Sequence, residues 1–248
     1  MQLESKKKRI DQILFEKKFV ESRAKGQALI MSGSVYVGQN KVSKSGELYN
    51  DNINITIKNN NPWVSRGALK LEPIIIKNNV KIDKKICLDV GSSTGGFTQV
   101  LLKYNARKIY SVDVGYGQLH EKIKADKKVI SLERTNAKYL TSKEIKDDID
   151  LIVCDASFIS LKKVINIPIK FLKKKGEIIA LIKPQFEANR SEIKGGVIKD
   201  ALIHKRICDE MKNWFLNEIN FNVCSIIESS IQGPKGNKEF FIYAIKND

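Results

Sequence analysis

The densest chemistry in the chain lies between Ile86 and Thr98. A short apolar run ends in Asp89, and the loop Gly91-Ser92-Ser93-Thr94-Gly95-Gly96 follows, before the apolar positions Phe97, Val100, Leu101 and Leu102. That order spells a strand, a tight turn and a helix start, with which an α/β sheet offers backbone N–H groups to a cofactor at its carboxyl edge. Glycine matters there because a residue without Cβ lets a ligand approach the backbone closely. The spacing is Gly-x-x-x-Gly-Gly, so the dinucleotide pattern Gly-x-Gly-x-x-Gly is not met, and a phosphate or nucleotide loop of another kind stays open. A second acidic residue, Asp113, ends the next strand-like run, 24 residues after Asp89. A carboxylate fixed at a sheet edge is an acceptor suited to the two hydroxyls of a ribose; a surface aspartate at a strand end is the plainer alternative.

The elements that must hold these residues read as alternating strand and helix from Trp63 onward. Strands are expected at 86–90, 108–113, 129–132, 150–154, 176–182, 222–228 and 239–245. Helices are expected at 66–79, 95–104, 160–174 (kinked or broken at Pro168) and 200–217. Such alternation predicts an α/β fold with a parallel sheet flanked by helices and an antiparallel hairpin at the end. Residues 10 to 57 differ in character. Ile10, Ile13, Leu14 and Val20 suggest a short amphipathic helix, and Ala24, Ala28, Leu29 and Ile30 a second one capped by Ser22. Gly33 suits a helix end, residues 34–37 alternate like a strand, 38–41 turn, and Ile53, Ile55 and Ile57 alternate again. Polar and Pro punctuation at Lys58 to Pro62 marks the boundary. The expected domains are 1–58 and 66–248, with 59–65 as linker.

A formal net charge of +16 over 248 residues favours a polyanionic partner, nucleic acid or an anionic membrane. Only 7 of the 44 basic residues are Arg, and the chain is rich in Ile and Asn, a bias that an A/T-rich genome also produces. Cys87, Cys154, Cys208 and Cys224 include no Cys-x-x-Cys pair, and His120 and His204 are the only histidines, so no metal-ligand spacing exists. Met1 to Arg9 leads into no apolar signal core, and no run approaches the ~20 apolar residues that cross a bilayer. A soluble cytoplasmic protein is expected. The segment Glu187 to Lys199, with Gly195-Gly196, reads as a mobile loop able to close over a ligand.

Two resemblances follow from motifs. Arg9-Ile10-Asp11-x-x-Leu14, Ser22-Arg23-x-x-Ala-x-x-Leu29-Ile30-x-x-Gly33-x-Val35-x-Val37 and Val42-x-Lys44 resemble the S4 RNA-binding fold. Arg9, Arg23, Lys25 and Lys44 would face phosphates, and residues 1–62 carry 11 basic against 6 acidic side chains. The acidic residue two places before Gly91 resembles the first motif of S-adenosylmethionine-dependent methyltransferases. The second part resembles the FtsJ-like methyltransferase fold, and the whole chain is similar to the TlyA family, whose members also carry the name hemolysin A. The likeness spans about residues 7 to 246. It rests on Trp63-Val64-Ser65-Arg66-Gly67-Ala68-Leu69-Lys70-Leu71, Asp89 to Thr98, Val112-Asp113-Val114-Gly115-Tyr116-Gly117-Gln118-Leu119, Arg134-Thr135-Asn136, Asp155-Ala156-Ser157-Phe158-Ile159-Ser160-Leu161, Ile182-Lys183-Pro184-Gln185-Phe186-Glu187 and Gly236-Asn237-Lys238-Glu239-Phe240.

The resemblance implies a Rossmann-like domain with a mostly parallel seven-stranded sheet, preceded by a small α+β S4 domain. It further implies methylation of a ribose 2′-hydroxyl, on a cytidine of ribosomal RNA, with S-adenosylmethionine as cofactor. Asp89, Gly91, Ser92, Ser93, Thr94, Gly95, Gly96, Phe97 and Asp113 would hold that cofactor, with Asn136 and Ala137 near its adenine. Arg66 and Trp63 belong to a stretch that couples RNA docking to the cofactor site in the family, although a packing role for Trp63 is equally open. Lys70, Asp155, Lys183 and Glu239 occupy the family's catalytic tetrad, with Lys183 as base or proton acceptor. Only about one free lysine in two thousand is neutral at pH 7, and poising it there takes about 4 kcal/mol. Lys70 and burial push that way, Asp155 and Glu239 the other, so a milder orienting role stays open. The chain begins nearly at the first S4 helix, which favours the family's shorter form, restricted to the large ribosomal subunit; the run Lys6-Lys7-Lys8-Arg9 departs from that form. A catalytically silent S4-type assembly factor and a membrane-lytic protein are the competing functions.

Overall fold

The computed structural model describes residues 7–31, 33–58 and 62–248. Lys6 of the basic run, residues 59–61 of the expected linker and the side chain of Ala28 lie outside the described residues. Two compact units, Met1–Pro62 and Trp63–Asp248, divide the chain.

In the first unit β1 (Lys8–Arg9) leads into α1 (Ile10–Glu16) and α2 (Arg23–Met31). The strands β2 (Val35–Val37), β3 (Asn40–Lys41), β4 (Leu48–Tyr49) and β5 (Ile55–Ile57) follow. Ser22 caps α2 as its position suggests, its Oγ accepting the Lys25 N–H at 3.2 Å. Ile10, Ile13, Leu14, Ile30, Val35, Val42 and Ile55 close a small core. β2 pairs with β3 and β5, while β1 pairs with β4, all antiparallel. Strands of two residues, as in β1, β3 and β4, present no alternation from which a period could be read.

The second unit opens with α3 (Gly67–Lys77), β6 (Ile86–Val90), α4 (Gly96–Lys103), β7 (Lys108–Val112), α5 (Glu121–Lys124) and β8 (Val129–Leu132). It continues with β9 (Ile149–Cys154), α6 (Leu161–Ile165), β10 (Leu172–Ile182), α7 (Pro184–Glu187), α8 (Ala201–Asn217), β11 (Phe221–Glu228) and β12 (Phe240–Lys246). The seven strands lie in the order β11-β12-β10-β9-β6-β7-β8. Six of the seven run in the same direction, and β12 runs antiparallel between β10 and β11. Strand parity divides the core. Leu88, Val90, Tyr110 and Ile178 pack with α6 and α8 residues, while Cys87, Ile109, Leu151 and Ile179 pack with α3 and α4 residues. Both cysteines in these strands are buried free thiols.

One expectation is corrected. The helix expected over 160–174 ends at Ile165, a 3-10 turn spans Pro168–Phe171, and residues 172–174 already belong to β10. Pro168 cannot donate a helical hydrogen bond, and the lysines that follow form an exposed, irregular start to the strand. The segment 187–199 carries a 3-10 turn at Arg190–Glu192 and several contacts. Asn237 Nδ2 donates to the Gly196 carbonyl at 2.9 Å, Arg206 pairs with Glu192 at 2.7 Å, and Ile198 is buried. No described helix is long and apolar enough to cross a membrane.

Candidate active site

β6 lies between β7 and β9, so the strand order reverses on either side of it and a crevice opens beyond the carboxyl ends, where open α/β sheets bind ligands. Four residues meet at this edge from distant parts of the chain. Asp155 follows β9 and Lys183 follows β10, while Glu239 immediately precedes β12. Because β12 is antiparallel, its beginning lies beside the end of β10, with Phe240 opposite Ile182. Lys70 reaches in from the first turns of α3. Its Nζ lies 2.7 Å from Glu239 Oε2 and 3.8 Å from Asp155 Oδ2, and Lys183 Nζ lies 2.6 Å from Asp155 Oδ1. Lys183 also donates to Ser157 Oγ at 2.8 Å. Two cations and two anions alternate, each with a counter-ion, and Lys70, Lys183 and Glu239 are buried. Buried charges persist only when paired in this way.

Two clefts meet at this cluster. One, of about 480 Å³, is lined by Val90, Gly91, Ser93, Asp113, Gln118, Asn136 and Ala137. The other, of about 560 Å³, is lined by Arg66, Lys70, Ser92, Thr94, Gly96, Phe97, Lys183 and Lys235. Gly91, Ser93, Asp155 and Ser157 line both. Asp113 ties the two flanking loops, accepting the Ser93 N–H at 2.8 Å on one oxygen and the Gly115 N–H at 2.7 Å on the other. Each carboxylate oxygen has a second lone pair, which leaves acceptors for ribose hydroxyls. Asp113, Asn136 and Ala137 thus line one cleft together, and the remaining acceptors of Asp113 suit a group that carries ribose hydroxyls.

Asp89 and Gly95 take different places. Asp89 is fully buried and lines neither cleft. It shares strand parity with Cys87, so it points under α4, where Thr98 Oγ1 donates to it at 2.6 Å and also lies 2.8 Å from Ser111 Oγ. Gly95 stands under the loop with φ of 94°, facing Leu119 and Ile123. Both shape the loop from below. Burial pushes the Asp89 carboxyl up to about 7, against the hydrogen bonds from Thr98. An aspartate raised above its ordinary ~3.9 favours the fold below that value and loses this contribution as pH rises through about 7. Melting temperature should thus fall between about pH 4 and pH 7, and Asp89→Asn should flatten the fall. Equal falls in both proteins would acquit Asp89.

Ser157, Phe158 and the segment Gln232 to Lys235 were not singled out from sequence. Ser157 fixes Lys183, and its place two residues after Asp155 in a matched block is the signal that marks it. Phe158 is 91% exposed at φ of 64°, its ring 5.3 Å from that of Phe186. Glu187 accepts Ser160 Oγ and the Leu161 N–H, capping α6. Trp63 packs against the α3–α4 side of the sheet with Lys103 over its ring. His204 is buried against Phe240. In the first unit, Arg9 and Arg23 converge on Asp11, Lys25 pairs with Glu21, and Lys44 is exposed on a loop whose backbone is bonded to Glu47.

The chain matches the FtsJ-like methyltransferase family over residues 63–246 and the S4 domain over residues 8–51. It is 38% identical over 239 residues to Hemolysin A of Brachyspira hyodysenteriae, covering 96% of this chain and 99% of that protein. It is 34% identical over 242 residues to the 16S/23S rRNA (cytidine-2'-O)-methyltransferase TlyA of Mycobacterium tuberculosis, covering 96% and 90%. It is 40% identical over 198 residues to the 23S rRNA (cytidine-2'-O)-methyltransferase TlyA of Campylobacter jejuni, covering 75% and 72%.

Proposed function

The chain belongs to the FtsJ-like methyltransferase family, and on that footing we propose that it methylates the ribose 2′-hydroxyl of a cytidine in ribosomal RNA of the large subunit. S-adenosylmethionine is the cofactor, supplying an electrophilic methyl group on sulfur. Residues 1–58 dock the RNA and residues 66–248 carry the transfer. The observation that carries this function is the alternating Glu239–Lys70–Asp155–Lys183 cluster where the two clefts join. One cleft offers acceptors for an adenosyl group, and the other is rimmed by Arg66 and Lys235, cations that suit a polyanionic strand.

The residues divide the work. Asp113 holds the ribose of the cofactor, and Asn136 and Ala137 flank its adenine. Gly91 and Ser93, shared by both clefts, set the reacting carbon against the substrate oxygen. Asp155 and Ser157 fix Lys183 Nζ beside that oxygen. Once it has given a proton to solvent, Lys183 accepts the hydroxyl proton as the oxygen–carbon bond forms and the carbon–sulfur bond of the cofactor breaks, the bonding pair leaving on sulfur. Lys70, anchored by Glu239, keeps the charge of Asp155 balanced. General-base help of this kind is worth about 10²–10⁴-fold, and positioning supplies much of the remainder.

The deciding experiment is transfer of labelled methyl to isolated large and small ribosomal subunits lacking the modification, followed by nucleotide mapping. Ribose label confined to the large subunit is the expected result. Label on both subunits would keep the chemistry and overturn the subunit restriction, and label on neither would leave an RNA-binding assembly factor. Asp113→Ala should weaken cofactor binding about 10- to 100-fold, the scale of one or two lost charge-assisted hydrogen bonds, while RNA affinity holds. Calorimetric titration showing equal loss for both ligands would break the division of labour between the units.

A further inference from the structure

The five strands that run side by side toward the tetrad are each entered, at the opposite end, through basic residues. Lys84-Lys85 precede β6, Arg107-Lys108 lead into β7, Lys127-Lys128 precede β8, Lys146 comes shortly before β9, and Lys173-Lys174-Lys175 lie at the start of β10. These strands are neighbours in the order β10-β9-β6-β7-β8. Register is held at the entries themselves: the Arg107 N–H donates to the Lys85 carbonyl and the Ile109 N–H to the Lys128 carbonyl, each at 2.8 Å.

The cations of an entry do not share one fate. Lys85 pairs with Glu177, Lys108 Nζ lies 2.7 Å from Asp147 Oδ2 and Lys173 Nζ 2.8 Å from Asp150 Oδ1, while Lys128 Nζ donates to Asn105 Oδ1 at 2.8 Å. Beside them Lys84, Arg107, Lys127, Lys146 and Lys174 are exposed, and their side chains make no hydrogen bond or ion pair among the described residues. The sheet edge thus carries one unneutralised cation per strand. Strands lie ~4.8 Å apart, so five of them spread the row over roughly 19 Å. Asp83 and Asp148 are exposed at the same entries, too few to cancel it.

Like charges on adjacent strands repel, and a row of them is relieved by an anion that repeats along a line. A nucleic-acid backbone is such an anion. Attachment to a bilayer surface draws instead on basic residues beside apolar side chains that enter the lipid, and no large apolar side chain is exposed at 83–85, 105–108, 125–128, 146–148 or 173–175. β6 has five residues, which at ~3.3 Å each sets the row about 17 Å from the tetrad edge along the strand. A nucleotide in the cleft does not reach that far, so the row takes a separate stretch of the RNA.

We propose that Lys84, Arg107, Lys127, Lys146 and Lys174 form a second, sequence-independent docking row for the ribosomal RNA backbone, on the sheet edge remote from the tetrad. The row rests on the RNA-methylating function given above, and the experiment separates the two.

Full-length protein is titrated with a fluorescein-labelled, unmodified large-subunit rRNA transcript over a range of salt. The triple variant Lys84→Gln/Arg107→Gln/Lys127→Gln is compared with Lys163→Gln/Lys205→Gln/Lys212→Gln, which removes as many exposed cations from α6 and α8. The first is expected to lower the salt slope by about two to three, the release from three lost phosphate contacts, and the second by less than about one. Equal falls would show an effect of net charge and overturn the row, as would an unchanged slope in the first variant. In methyl transfer to large subunits the row variant should raise KM about 10-fold with kcat unchanged, since its residues stand away from the reacting atoms; a fall in kcat at constant KM would overturn docking. Loss of binding to phosphatidylserine-rich vesicles with the RNA slope intact would make the edge a lipid contact instead. A wild-type protein that does not bind the transcript would remove the RNA-methylating function and the row with it, whereas a row variant that binds and transfers like wild type would remove the row alone.

Discussion

Lys183→Ala should lower methyl transfer by about 10²–10⁴-fold, the scale of a lost general base, while cofactor affinity stays essentially unchanged. Lys183 lines the second cleft but not the first, so its side chain is engaged only at the reacting end. The variant leaves Asp155 with Lys70 at 3.8 Å as its remaining cation. Breaking a buried pair costs about 3–5 kcal/mol in stability, so folding must be checked by near-ultraviolet circular dichroism before rates are compared. Lys183→Arg sharpens the test. Arginine keeps the charge but cannot give up its proton in a protein, so a proton acceptor predicts loss in both variants. A charged organiser predicts that Lys183→Arg retains much of the rate. Single-turnover transfer at saturating cofactor distinguishes these outcomes, and near-wild-type rates for Lys183→Ala would take Lys183 out of the reaction.

Gly91→Ala should be nearly as damaging for a different reason. Gly91 has φ of 81°, and a Cβ added there would lie 2.9 Å from the Asp155 carbonyl oxygen and 3.0 Å from its carbon. The obstacle is backbone and cannot swing aside. Left-handed strain and overpacking each cost about 1–3 kcal/mol, so a loss of about 2–6 kcal/mol is expected in chemical denaturation. Relief of the clash moves Asp155, which holds Lys183, so transfer at saturating cofactor should fall at least ~10-fold, in line with the sensitivity of catalysis to small misplacements. Gly117→Ala is the control. Its φ is 65°, but nothing lies within 4 Å of the added Cβ, so only strain remains. Equal behaviour of the two variants would show that close approach at Gly91 is unimportant.

Much of this was legible in the chain itself. The strand–loop–helix at Ile86 to Thr98 could be read because burial on both faces makes β6 a continuous apolar run, and because the left-handed φ of Gly91 and Gly95 leaves glycine as the residue that sits there without strain. The helices α3, α4 and α8 and six of the seven strands of the large sheet, all but β10, lie within one or two residues of their expected bounds. Pro168 was visible as a break, but local patterning gave no sign that a strand begins four residues later, since a run of lysines has no alternation to betray it.

The identities of Lys70, Asp155, Lys183 and Glu239, and the counts of their charges, are properties of the sequence. Their contact is not: it depends on β12 running antiparallel beside β10, a pairing between segments far apart in the chain that local propensity does not encode. The same distinction separates Asp89 from Asp113. Both follow apolar runs, but Asp89 lies inside β6, where parity turns it under α4, whereas Asp113 comes just after β7 and lines the cleft. Asp11 is a third case, a charged residue whose complete burial follows only once Arg9 and Arg23 have folded over it. Sequence determined which chemistry the chain possesses, because side-chain type and short-range period are local. Tertiary structure decided which of those groups meet, because register and long-range packing set distances that no local pattern contains.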